Sequence, residues 1–164
     1  MSRIQLRAVA VVAASFALLV GSAAVADNVH FEAILDGLQE VPPNASPATG
    51  FSTLTINLDT NEVCVHLEFS GLIAAQTAAH VHAPAPPGAN AGVIMPLTFG
   101  SPSDTCAILS AANIGSIQAG LSYANVHSTA FPGGEIRGQY GKVPEPGTLA
   151  LLAVGAAGLL RRRR

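Results

Sequence analysis

The chain has 164 residues, 49% of them hydrophobic, with 8 Lys and Arg against 10 Asp and Glu and no Trp. Six of the eight basic residues sit within the first seven or the last four positions, whereas every acidic residue lies between Asp27 and Glu145. The central region therefore sets Arg137 and Lys142 against all the acids, a net of about −8, which excludes the basic footprint that nucleic-acid binding requires.

Taken in order, residues 1–26 read as a secretory signal peptide. Arg3 and Arg7 precede an apolar run from Ala8 to Val20, too short to span a bilayer comfortably, and Ala24-Val25-Ala26 is an A-x-A cleavage site. An uncleaved anchor is the alternative. The domain then runs over 27–141, a normal size for one core.

Val29 to Leu35 is an extended, half-alternating run that stops at Asp36-Gly37. Pro42, Pro43, Pro47 and Gly50 make a loop. Phe51 to Leu58 alternates with Ser52, Leu54, Ile56 and Leu58 on one face. After a turn at Asp59-Thr60-Asn61, Glu62 to Phe69 alternates again, with Val63, Val65, Leu67 and Phe69 inward and Cys64, His66 and Glu68 outward. This is a β-hairpin with a three-residue connection.

Ala78 to His82 is a short strand, 84–92 a Pro- and Gly-rich loop, and Val93 to Phe99 a strand interrupted by Pro96, which suits a sheet edge. Thr105 to Leu109 is one more strand. Ser110 is placed to cap a short helix through Ile117, closed at Gly120. Two strands, 121–127 and 134–140, complete the domain around a Pro-Gly turn. Short strands punctuated by turn residues predict an all-β antiparallel sandwich or barrel with one short helix.

Chemistry concentrates in the histidines. His80 and His82 are two apart on a strand, so both imidazoles share a face. His127 lies in a second strand, and the two side by side gather three of the five histidines. Imidazole suits copper and zinc, and three ligands with an open position is the usual catalytic-site minimum. The other reading is hydrogen-bonded structural histidines. Glu135 and Arg137 alternate on one strand and are candidates to support the cluster. Cys64 and Cys106 read as one disulfide in an exported chain, or as two structural thiols. No Gly-x-Ser-x-Gly elbow or phosphate loop is present, so the reading leans against an enzyme. Asn44-Ala45-Ser46 matches the N-glycosylation pattern without further support.

Two resemblances follow from these residues. Val143-Pro144-Glu145-Pro146-Gly147, the apolar run Thr148–Leu160 and Arg161 to Arg164 resemble the PEP-CTERM sorting signal, which assigns 142–164 to linker, hydrophobic helix and basic cluster. A thirteen-residue helix is about 20 Å long, short of a membrane core of about 30 Å. The resemblance implies transient membrane association, removal of the tail by an exosortase-type protease, and a link to exopolysaccharide. Glu40-Val41-Pro42-Pro43, Ala79-His80-Val81-His82-Ala83-Pro84, and Tyr123-Ala124-Asn125-Val126-His127 followed by Pro132 to Gln139 resemble the chordin-type domain, CHRD, over about 29–140. Ala83-Pro84 departs from that family's usual Gly-Pro.

The resemblance implies an Ig-like or Cu/Zn superoxide dismutase-like sandwich or barrel. It implies an exported or surface-associated binding or matrix protein, with exopolysaccharide or other extracellular proteins as partners. The alternative it carries is a copper- or zinc-binding metalloprotein with His80, His82 and His127 as ligands. The fourth ligand has no motif; His30 and His66 are the remaining imidazoles.

Overall fold

A computed structural model describes residues 28–144. The signal peptide, Glu145 and Pro146 of the sorting motif, the hydrophobic tail and its arginines lie outside the described residues.

Among the described residues, nine strands form one antiparallel sheet: β1 (Asn28–Asp36), β2 (Thr49–Asn57), β3 (Glu62–Ser70), β4 (Gln76–His82), β5 (Val93–Pro96), β6 (Ser103–Ile108), β7 (Tyr123–Ser128), β8 (Ile136–Gln139) and β9 (Gly141–Lys142). They run β5-β4-β7-β8-β1-β2-β3-β6, with β9 added to β1. The sheet curls until its two edges nearly meet. There the Thr98 N–H donates to Thr105 Oγ1 at 3.0 Å, the Gly100 N–H to Gln76 Oε1, and Ser101 bonds the Phe69 backbone at both ends. The result is a nearly closed all-β barrel with one α-helix, α1 (Ala111–Gln118).

Alternation decides which side chains fill the barrel. Val29, Phe31, Ala33 and Leu35 of β1, Leu54 and Ile56 of β2, and Val63, Val65 and Leu67 of β3 are all buried. Val81, Val126, Ile136 and Tyr140 close the core from the other side. Each fully buried aliphatic side chain stabilises the fold by about 1.5–3 kcal/mol. Ser110 accepts from the Asn113 N–H to cap α1, Gly120 ends it at φ +73°, and Ile114 and Ile117 pack into the core. Only glycine adopts that left-handed φ freely.

The structure moves several boundaries. Leu58 is not in a strand: the turn has four residues, 58–61, because Asn61 takes φ 57° and Asn57 Oδ1 accepts from the N–H groups of Asp59 and Thr60. Strand β5 stops at Pro96, short of Phe99, and is a sheet edge. Lys142, read as the start of a linker, instead pairs with Phe31 beside the Gly141–Glu32 pair, and the Val143 N–H donates to the His30 carbonyl. Cys64 and Cys106 are direct partners in the β3–β6 ladder, with sulfurs at a bonding distance of 2.08 Å.

Candidate metal centre

The two outer faces of this barrel differ. Strand β7 is buried on both sides: Ala124 and Val126 face the core, while Tyr123 and Asn125 are covered from outside. Two loops supply that cover, 37–48 and 83–92. A polar layer therefore lies between sheet and loops, and every group in it must find a partner.

The antiparallel register of β4 and β7 sets His80 opposite Asn125, Val81 opposite Ala124 and His82 opposite Tyr123. His80 and His82 share the outer face, and His127 joins them from the end of β7. One donor atom from each of the three lies within 4.8 Å of the other two. His127 Nδ1–H donates to the Pro132 carbonyl at 2.9 Å, which leaves its Nε2 lone pair free to accept from His80 Nδ1–H at 3.2 Å. His82 Nδ1–H donates to the Ala91 carbonyl at 2.9 Å, and its Nε2 sits 3.1 Å from Asn125 Oδ1. Burial holds the His80 ring below the usual histidine pKa, reinforced by the neighbouring His127 and His82. Burial does the same at His82, against the Ala91 and Asn125 oxygens, which as acceptors favour the charged ring. Neutral rings anchored through one nitrogen on a carbonyl, with the other nitrogen turned to a common space, are what a metal site needs.

The loop cover is held by residues of the Glu-Ile-Arg-Gly-Gln stretch. Arg137, 1% exposed, donates through Nη1 to Asn90 Oδ1 and through Nη2 to the Ala89 carbonyl. Its guanidinium carbon lies 3.4 Å from the centroid of the Tyr123 ring, a cation–π contact. Tyr123 in turn stacks on His82, 4.8 Å between centroids with the planes 4° apart. The Tyr123 hydroxyl accepts from the Ala91 N–H, so Ala91 is gripped by Tyr123 at its nitrogen and by His82 at its oxygen. Gln139 donates to the carbonyls of Ala85 and Gly120, and Asn90 donates to Val41 of the other loop. Arg137 thus supports the histidines through Tyr123 and the 83–92 loop.

Glu135 does not support them. It is fully buried before β8, where Oε1 accepts from Ser46 Oγ and the Ile73 N–H, both at 2.7 Å. Burial opposes its charge, but bonds from Ser128, Ile73 and Ser46 outweigh that and lower its pKa. It fastens loops through Oε1, and among the described residues it makes no hydrogen bond to Arg137. Asn44, the glycosylation candidate, spends its amide on the carbonyls of Gly134 and Glu135 and on the Ser46 N–H.

His30 and His66 stay apart from the cluster. His30 bonds Thr55 on the β1–β2 face, and His66 lies between Asp104 and Glu68 at 2.8 and 3.1 Å.

Sequence reasoning missed Glu40 and Asn125. Glu40 is 5% exposed, and its Oε1 has no hydrogen-bond partner among the described residues. Burial pushes its carboxyl up to about 7, against Arg137, the Val41 N–H and the Asn125 amide, which favour the charge. The carboxyl lies on the backbone of Gly134, at φ +136°, where any Cβ would collide with Oε1. The left-handed φ alone favours glycine there, and the missing side chain leaves the space that the Glu40 carboxyl fills. An acidic residue beside a proline pair was the available signal.

No curated protein and no solved structure matches the chain. Among the described residues no helix is long and apolar enough to cross a membrane. The PEP-CTERM protein-sorting motif matches residues 142–164, a signal handled by exosortase that directs a protein to the cell envelope or the extracellular space. The CHRD domain model matches residues 31–140, two-thirds of the chain, and the protein belongs to the CHRD-domain family.

Proposed function

We propose that this exported CHRD protein is a non-enzymatic metal-binding protein of the cell envelope, holding one copper or zinc ion at His80, His82 and His127. The observation that carries the reading is the cluster itself: three donor atoms within 4.8 Å, with two of the rings anchored on backbone carbonyls. The separation of His80 Nδ1 and His127 Nε2, 3.2 Å, is close to the edge of a tetrahedron with metal–nitrogen bonds of about 2.0–2.1 Å, which is about 3.3–3.4 Å.

Calorimetric titration of the purified 27–144 region with Zn²⁺ and, separately, Cu²⁺ at pH 7.5 tests this. One equivalent should bind, and His82→Ala and His127→Ala should each weaken binding about 100-fold or more, while His30→Ala leaves it unchanged. No stoichiometric binding, or binding that survives loss of His82, refutes the site. Because burial lowers the His80 and His82 pKa values, affinity should persist to pH 6.5 and fall below it.

A second reading, attachment to exopolysaccharide or another extracellular polymer, draws on a different feature. A cleft of about 600 Å³ lies beside Ile34, Phe51, Phe69 and Pro102, with Ile34 71% exposed. Phe51→Asp should release the protein from the secreted polymer in a co-sedimentation assay; unchanged binding rejects this surface. Processing is part of both readings. The exported form should begin near Asp27 and lack 148–164 by intact mass, and a mass that retains the tail points to a permanent anchor. The Cys64–Cys106 bridge should leave no titratable thiol in the unfolded, unreduced protein.

A further inference from the structure

We propose that the side-chain oxygen of Asn125 is the fourth donor of the metal site, closing a three-nitrogen, one-oxygen tetrahedron suited to zinc; this rests on the histidine reading above. The Ala91 carbonyl can only accept, so His82 Nδ1 must carry the hydrogen. In a neutral ring Nε2 then presents a lone pair. Facing it at 3.1 Å is Asn125 Oδ1, which also can only accept. Two lone pairs directed at one another across 3.1 Å are unfavourable alone and favourable around a cation. The candidates for that cation are a proton and a metal. A proton serves this one pair, whereas a metal ion shared with the two neighbouring imidazoles serves all the lone pairs gathered there.

Position supports the same assignment. Asn125 is 3% exposed and stands on β7 directly opposite His80, between Tyr123 and His127 on the outer face. The four donors form two short edges, His80 Nδ1 to His127 Nε2 at 3.2 Å and His82 Nε2 to Asn125 Oδ1 at 3.1 Å. Both approach the edge of about 3.3–3.4 Å set by zinc bonds of about 2.0–2.1 Å. At His80 the hydrogen on Nδ1 moves to Nε2 when the metal takes its place, so the ring stays neutral. A borderline-soft ion without redox chemistry and with four mixed nitrogen and oxygen ligands is the chemistry of Zn²⁺, whereas Cu²⁺ favours a tetragonal arrangement.

The competing arrangement has the amide rotated, with Nδ2 donating to His82 Nε2 and Oδ1 turned toward the Glu40 carboxyl. Asn125 would then cap His82 and compete with metal. The two arrangements predict opposite signs. Zinc titrations of the 27–144 region at pH 7.5 should show Asn125→Ala weakened about 10- to 100-fold, and Asn125→Asp as tight as the parent or tighter. In the Co²⁺-loaded protein the intense visible bands of a tetrahedral site should shift and weaken in Asn125→Ala. The side-chain carbon resonance of Asn125 in the unmutated protein should shift on adding one equivalent of zinc. That readout stands even if the alanine variant fails to fold.

Unchanged or tighter binding by Asn125→Ala, with His82→Ala still defective, overturns the assignment and leaves the histidine site intact. An unmoved Asn125 resonance at full zinc loading overturns it as well. Absence of zinc binding by the parent removes both.

Discussion

The barrel carries histidines on two outer faces that share one architecture and differ in chemistry. On the β4–β7–β8 face, loops bury the polar layer, and burial holds His80 and His82 below the ordinary imidazole pKa. On the β1–β2–β3–β6 face His66 stands at the surface between Asp104 and Glu68, whose hydrogen bonds raise its pKa. In both cases strand alternation turns the imidazoles to the outer face. What separates an imidazole biased toward its neutral form from one biased toward charge is the covering chain, because water removal penalises charge while flanking carboxylates favour it.

Arg137→Ala should do most to erase the difference between the two faces. That change strips the clamp from the 83–92 loop and leaves Glu40 buried without its nearby cation, at a cost of about 3–5 kcal/mol. Urea unfolding should report the loss, and amide exchange at Ala89 to Ala91 should accelerate. A loss under about 1 kcal/mol would show that the cover holds itself.

On the β3–β6 face the Cys64–Cys106 bridge closes a loop with a sequence separation of 42. Replacing both cysteines by alanine should destabilise the fold by about 2–4 kcal/mol on the chain-entropy account. It should leave zinc affinity unchanged, since the bridge sits on β3 and β6, away from the cluster.

Glu40→Gln isolates the role of burial. The carboxyl is at about 7 in the fold against 4.5 as the ordinary value. Its folded value is raised, so its contribution is full below about pH 4.5 and is lost as pH rises through about 7. Stability should therefore fall by on the order of 2–3 kcal/mol across that window, and Glu40→Gln should remove this slope. A pair of unfolding curves at pH 5 and pH 8 with the same slope in both proteins contradicts the assignment.

His66→Ala should have the smallest effect, because exposed pairs are screened. The raised pKa of His66 means its contribution is present below pH 6.5 and vanishes as pH rises through its folded value. The variant should be slightly less stable than the parent at pH 5.5 and indistinguishable at pH 9, by thermal melts in matched buffer.

Much of this molecule was legible from the chain because local physics dictates it. Alternation in 51–57 and 62–69 named the core face, since period two leaves Leu54, Ile56, Val63, Val65 and Leu67 no other place to go. The cap at Ser110 and the glycine at 120 bracketed α1, and Pro96 marked an edge. The pairing of His80 with His82 on one face followed from the same period. By contrast, local pattern assigned Glu135 to the histidines, because alternation with Arg137 says nothing about which loops will descend on a strand. Contacts at Ser46 and Ile73, 89 and 62 residues away, decided its role.

The all-β class, the helix and its cap, the inward faces of the strands and the set of histidines that share a direction all follow from the order of amino acids alone. Those properties rest on backbone periodicity and on residues within a few positions of one another. It took the folded chain to bury β7 on both faces, to make Gly134 the room for Glu40, and to set Asn125 opposite His80 with its side-chain oxygen on His82. Each of these depends on loops that are about 40 to 90 residues away along the chain and arrive over one face of the sheet. Desolvation and hydrogen-bond geometry there are properties of that arrival, and no local pattern encodes them.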